Sequence, residues 1–183
     1  MRWELPTLRT ERLVLRPIVD ADAEAIFAAC SNPRVIEHLV FNLHTSIDDS
    51  RQFIAKFTRS RQAEGVPDPF GIAFKNTPDR LIGCLGGKWD SYENRRMEFG
   101  YWIDEPFWGQ GIATEAARML VTYLFASFPI ERLQARVFDG NDASARVLEK
   151  LGFTYEGNLR SHIHLKGKRR DVRFYSRLSE GVF

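Results

Sequence analysis

Between Arg95 and Leu124 the apolar residues change period once, and this change limits the fold more than any other feature. In "RRMEFGYWI", Met97, Phe99, Tyr101 and Ile103 form one row, with Glu98, Gly100 and Trp102 on the other side, the period-2 pattern of a strand. From Ile112 onward, Ile112, Ala116, Met119, Leu120, Tyr123 and Leu124 recur at helical spacing. Between the two lies "PFWGQG", with two glycines two residues apart. A strand must therefore feed a helix through a tight glycine turn. Two earlier runs, "FGIAFK" from Phe70 and "RLIGCLGGKW" from Arg80, also have strand character. The connections "NTPD" and "DSYEN" are rich in turn formers, so the three strands should form an antiparallel meander.

The flanking segments fit around this unit. "ERLVLRPI" reads as a strand, and "DADAEAIFAAC" reads as a helix with Ala23, Ile26, Phe27 and Cys30 on one face and Asp20, Asp22 and Glu24 at its positive end. A second helix should start at Thr45, carry Phe53, Ile54 and Phe57, and end near Gly65 and Pro67. After the glycine-led helix come a strand, "ERLQARVF", and a short helix capped at "DGND" with Ala143, Val147, Leu148 and Leu151 inward. A long hairpin turning at "KGK" closes the chain. The expected order is β-α-α-β-β-β-α-β-α-β-β, an α+β layer structure forming a single domain over residues 1–183.

Composition narrows the function. With 26 basic and 24 acidic side chains the net charge is +2, so no global field marks a nucleic-acid binder and any anion site must be local. No apolar run approaches the ~20 residues of a membrane span, and "MRWELPTLRTERL" lacks the apolar centre of a secretory signal, so the expected compartment is the cytoplasm. Cys30 and Cys84 lack metal or redox spacing and are expected as buried free thiols, with no metal site.

A G-x-G turn at a helix start is by itself an ordinary structural device. Here Gly109 and Gly111 let the backbone curl and expose successive N–H groups, Ala113 keeps the surface low, and the first helical turn adds its own unpaired donors. Together they can cradle phosphate oxygens. No Gly-Lys-Ser/Thr follows, which excludes a Walker loop, and the antiparallel strands with no βαβ unit argue against a dinucleotide fold. The strand leading into the cradle, Glu98 to Asp104, can pair along ~20 Å with an extended ligand bearing amides. The pantetheine arm and pyrophosphate of coenzyme A have that form.

The stretches "EFGYWIDEPFWGQGIATEA" and "NDASARVLEKLGF", with the opening strand and its acid-capped helix, resemble the GNAT superfamily of acyl-CoA transferases, in particular the branch of the RimJ/RimL ribosomal-protein N-terminal acetyltransferases. The resemblance runs from "LRTERLVLRP" to "DVRFYSRL" and implies a mixed, mostly antiparallel sheet of six to seven strands with helices on both faces. It implies acetyl-CoA as cofactor, with the pyrophosphate on Gly109, Gln110, Gly111, Ile112, Ala113 and Thr114. Tyr101, Trp102 and Ile103 would pair with pantetheine, and Asn141 would bond the arm. Two positions depart from the superfamily pattern. Trp108 stands where Gln or Arg is usual, and Leu148 stands where many relatives carry a tyrosine acid.

Acetyl transfer to an amine needs a neutral nucleophile, an oxyanion donor and protonation of the leaving thiolate. Glu98 is the candidate base, acting through water; its structural reading is a solvated carboxylate or a partner of Arg95 or Arg96. Ser144 is the candidate proton donor, and otherwise an ordinary first-turn serine, as Asn141 is otherwise an ordinary cap. His38, Phe41 and His44 either shape an acceptor groove or pack a loop, and Trp89 and Trp102 either line it or fill the core. Lys166, Lys168, Arg169, Arg170 and Arg173 make a basic hairpin without interleaved aromatics, better read as a solvated tip than as a nucleic-acid surface. The expected activity is acetylation of a primary amine, a protein N-terminus foremost. Small-molecule amines such as polyamines, amino acids or amino sugars are the alternative acceptors, and a non-catalytic acyl-CoA sensor is the alternative class. A homodimer is compatible with such a chain.

Overall fold

The computed structural model describes residues 4–59 and 65–180, apart from the side chains of 57–59. Eight strands form one sheet: β1 (Leu8–Arg9), β2 (Leu13–Pro17), β3 (Phe70–Phe74), β4 (Thr77–Ser91), β5 (Arg96–Ile103), β6 (Arg132–Phe138), β7 (Thr154–Leu165) and β8 (Lys168–Leu178), in spatial order β1-β2-β3-β4-β5-β6-β8-β7. The helices are α1 (Ala23–Cys30), α2 (Pro33–Ile36), α3 (Ile47–Phe53), α4 (Ile112–Ser127) and α5 (Asp142–Lys150). The sheet has one strand more than expected because β1 is two residues long, too short to show alternation. The four-residue α2 escaped for the same reason; it starts with Asn32 Oδ1 accepting the Arg34 N–H at 3.0 Å and Pro33 in the first turn.

The meander forms as expected, β3–β4 and β4–β5 both pairing antiparallel. The expectation that no βαβ unit surrounds the glycine turn is wrong: β5, α4 and β6 form one, with β5 and β6 parallel. The pairing lasts only from Arg96↔Arg132 to Glu98↔Gln134, after which the strands part. A dinucleotide fold stays excluded, since every other strand pair in the sheet is antiparallel.

The two sides of the strands bury separate clusters. Met97, Phe99 and Ile103 pack with Ile112, Ala116, Leu120 and Leu124 of α4 and Leu148 of α5. Trp102, on the other side, packs with Ile26, Cys30, Ile36 and Ile54. Helices thus cover both faces, as the strand alternation requires. Of the residues expected inward around α5, Leu148 and Leu151 are buried and Val147 packs against the core, whereas Ala143 is exposed and Ala145 is buried instead. α3 runs into a wider turn, Ile54–Arg59; the Phe57 side chain lies outside those described, as does the stretch just before Gly65, where the helix is expected to end. The closing hairpin turns at Lys166 and Gly167, at φ 49° and 78°, the conformation of a two-residue type I′ turn. Among the described residues no helix is long and apolar enough to cross a membrane.

Candidate active site

Where β5 and β6 separate, the edge of Phe99–Ile103 loses its neighbouring strand, and a cavity of about 790 Å³ opens between β5, β6, the glycine turn and the start of α5. Gly109 and Gly111 stand at φ 73° and 76°, a conformation that favours glycine. The first helical bond of α4 runs from Glu115 N–H to the Gly111 carbonyl at 3.0 Å, so the N–H groups from Gly109 to Thr114 find no main-chain acceptor among the described residues. Gly109, Gly111, Ile112, Ala113 and Thr114 line the cavity. Gln110 does not: its side-chain amide donates to the Pro106 carbonyl at 2.9 Å.

The back of the turn is tied down by residues that sequence reasoning missed. Arg12 donates from both terminal nitrogens to the Gln110 carbonyl at 3.2 Å. It also meets Glu115 at 2.6 Å, and Glu115 accepts the Arg12 N–H at 2.9 Å and the Thr10 hydroxyl at 2.5 Å. These donors hold the Glu115 carboxyl below its usual range against the opposing effect of burial. Trp108 fastens the other side of the turn, its indole N–H donating to the Ile103 carbonyl at 2.7 Å. Arg34, Arg146 and Lys150 add cations to the lining.

Glu98 lines the cavity at the fork of the strands. Its Oε1 accepts from Arg136 Nη2 at 2.7 Å and lies 3.5 Å from Lys88 Nζ; no bond to Oε2 occurs among the described residues. Neither structural partner foreseen from the sequence is used, since Arg95 pairs with Glu131 and Arg96 with Asp90. Across the cavity, Asn141 Oδ1 caps α5 by accepting the Ser144 N–H at 3.1 Å, which leaves its amide nitrogen for other partners. The Tyr101 hydroxyl donates to Ser144 Oγ at 3.2 Å. Burial pushes the Tyr101 phenol above its usual pKa, against the lowering effect of Ser144, so it stays a donor at neutral pH. Sequence reasoning took Tyr101 as part of a main-chain edge; its hydroxyl contact, 43 residues away along the chain, carried no local signal. Leu148 is core, 1% exposed.

Of the acceptor-groove candidates, His38 and Phe41 line the cavity, whereas His44 bonds Ser50 Oγ at 2.8 Å and packs between Phe41 and Phe53. Burial lowers the pKa of both histidines, favouring the neutral ring. Trp102 both fills the core and meets the cavity, and Trp89 packs edge-on against Tyr92 and Phe128. Cys30 and Cys84 are buried, which pushes the Cys30 thiol up to about 12 and raises Cys84 as well. In the basic hairpin Arg170 pairs with Asp139, Arg173 with Asp142, and Lys166 donates to the Ile36 carbonyl.

Comparison with known proteins identifies the family. The acetyltransferase (GNAT) domain model matches residues 12–154. The uncharacterized N-acetyltransferase YoaA of Bacillus subtilis is 38% identical over 93% of this chain and 96% of its own. The ribosomal-protein-serine acetyltransferase of Escherichia coli is 32% identical over 55% of this chain and 56% of its own. In structure, the ribosomal L7/L12 α-N-protein acetyltransferase RimL in complex with coenzyme A superposes with a TM-score of 0.79, at 24% identity over 95% of this chain and 97% of that one; this likeness concerns the fold. The chain belongs to the GNAT family of N-acetyltransferases, enzymes that take the acetyl group from acetyl-CoA.

Proposed function

We propose that this protein acetylates a primary α-amine, with a protein N-terminus as the foremost acceptor. The observation that carries the reading is the fork of β5 and β6, which joins an anion cradle at Gly109–Thr114 to a reaction space lined by Glu98 and Tyr101 of β5 and by Ser144 of α5. The residues fit the cofactor: a Cβ at Gly109 would meet no protein atom within 4 Å, so the cradle is open, and its donors are unspent. A charge-assisted hydrogen bond contributes about 1.5–3 kcal/mol, so three or four such donors anchor a pyrophosphate. When bound, acetyl-CoA supplies the activated acetyl thioester.

The protein's own groups then divide the proton work. Glu98 receives the amine proton through water, and its Oε2 is the oxygen not already held by Arg136. An α-amine, with a pKa of ~7.7–8.0, asks little of that base, whereas a lysine side chain at ~10.4 asks far more. Main-chain N–H groups of the unpaired Phe99–Ile103 edge face developing negative charge, and Ser144 Oγ passes its proton to the departing sulfur as water replaces that proton. Tyr101 donates to Ser144 Oγ and so turns the serine's own hydrogen elsewhere. The name of the E. coli relative, a ribosomal-protein-serine acetyltransferase, supports a protein acceptor. The test is thiol release from acetyl-CoA with a panel of N-terminal peptides and small amines. Glu98→Gln should lower turnover and change its pH profile; an unchanged profile removes Glu98 from the mechanism.

A further inference from the structure

Two buried side-chain polar atoms lack a hydrogen-bond partner among the described residues: His38 Nδ1 and Arg136 Nε. Both side chains line the same cavity. Buried polar atoms are nearly always satisfied, so two orphans on residues that line one cavity point to a ligand that completes them. The neutral His38 ring can present either a donor or an acceptor at Nδ1 and specifies little. Arg136 is more informative, because guanidinium nitrogens only donate, and its Nε–H requires an oxygen. The guanidinium is also fixed in place, since its Nη2 donates to Glu98 Oε1 at 2.7 Å. A planar group anchored at one nitrogen presents its remaining N–H groups, that of Nε among them, in set directions.

The orphan donor and the candidate base are therefore neighbours, joined by one hydrogen bond. A second cation, Lys88 Nζ, lies 3.5 Å from the same carboxylate oxygen. An acceptor whose nitrogen approaches Glu98 must bring an oxygen beside it to meet Arg136, and must tolerate two cations close by. A polyamine fails on both counts: it has no oxygen, and its further nitrogens are protonated at neutral pH. An α-amino acyl group succeeds, because its carbonyl or carboxylate oxygen sits one carbon from the amine.

Resting on the transferase reading above, we infer that Arg136 is a specificity-determining residue that binds the carbonyl or carboxylate oxygen next to the acceptor amine, restricting substrates to α-amino acyl compounds. Peptide N-termini and free amino acids share this chemistry, and the test separates them. Thiol release is followed with tripeptide amides varied at the first residue, with the corresponding free amino acids, and with matched amines in which the carbonyl group is replaced by methyl or hydroxymethyl. Calorimetric titration of the same compounds into the protein with coenzyme A reads discrimination without turnover.

At least one carbonyl-bearing series should exceed the matched amines by about 10- to 150-fold in kcat/KM or affinity, the range for a hydrogen bond to a charged group. Arg136→Lys keeps a cation beside Glu98 but removes the Nε–H, and should bring the series to within about threefold of each other. Matched amines that perform as well as their carbonyl counterparts overturn the assignment, as does Arg136→Lys with full discrimination. Discrimination in calorimetry without thiol release from any compound upholds Arg136 and defeats the transferase reading. Turnover without discrimination defeats Arg136 alone.

Discussion

Replacing Gly109 with alanine separates a structural glycine from one that serves a ligand. Gly109 lies at φ 73°, and an L-residue held there loses about 1–2 kcal/mol. In a chain of this size each kcal/mol lowers Tm by about 2–4 °C, so Gly109→Ala should cost about 2–8 °C. Gly152, just past the end of α5, supplies the control. Its φ is 78°, a Cβ there would also meet nothing within 4 Å, and it does not line the cavity. The two alanine variants should lose similar stability by differential scanning calorimetry. Their affinities for coenzyme A should differ. A methyl group at Gly109 stands among the N–H donors that run to Thr114, and loss of one charge-assisted bond weakens binding by about 10- to 150-fold. Gly152→Ala should bind as the wild type does. If Gly109→Ala shows wild-type affinity by calorimetry while losing the same Tm as Gly152→Ala, the glycine turn is only a helix entrance and the cradle argument is wrong.

Tyr101→Phe keeps the stacked ring beside Phe99 and removes only the hydroxyl that donates to Ser144. It should lower kcat by about 2- to 12-fold, the worth of a neutral hydrogen bond, with coenzyme affinity unchanged; a fall in affinity with kcat intact would assign the tyrosine to binding instead. Glu156 is held down to about 2, first by Arg132 and further by Ser176, against an ordinary value of 4.5. A depressed folded-state pKa contributes stability above the unfolded value that is lost as pH falls from about 4.5 toward 2. Urea midpoints should therefore drop across that window by more in the wild type than in Glu156→Gln, and parallel curves would refute the linkage. The native protein should leave Cys30 and Cys84 unmodified by a thiol reagent until it is denatured, given their burial and raised pKa values.

What was legible in the sequence was local. The change of apolar period around the glycine turn, the Asn141 cap and the Lys166–Gly167 hairpin turn each depend on residues a few positions apart, where backbone sterics and short-range hydrogen bonds decide. The placement of Glu98 off the apolar row followed from alternation alone, and its escape from Arg95 and Arg96 did not.

The site's charges and donors were decided by tertiary structure. Lys88 reaches Glu98 because β4 and β5 pair in the register that sets those two residues opposite each other. Arg136 reaches it across the fork, 38 residues on, and Arg12 clasps the glycine turn from 98 residues before it. The fork itself is invisible in the sequence, since β6 reads as a strand for its full length and only three of its residues pair with β5. Propensity and periodicity specify which way a side chain faces. Sheet register and the distance at which two strands part specify what it meets, and those are settled only when the whole core packs.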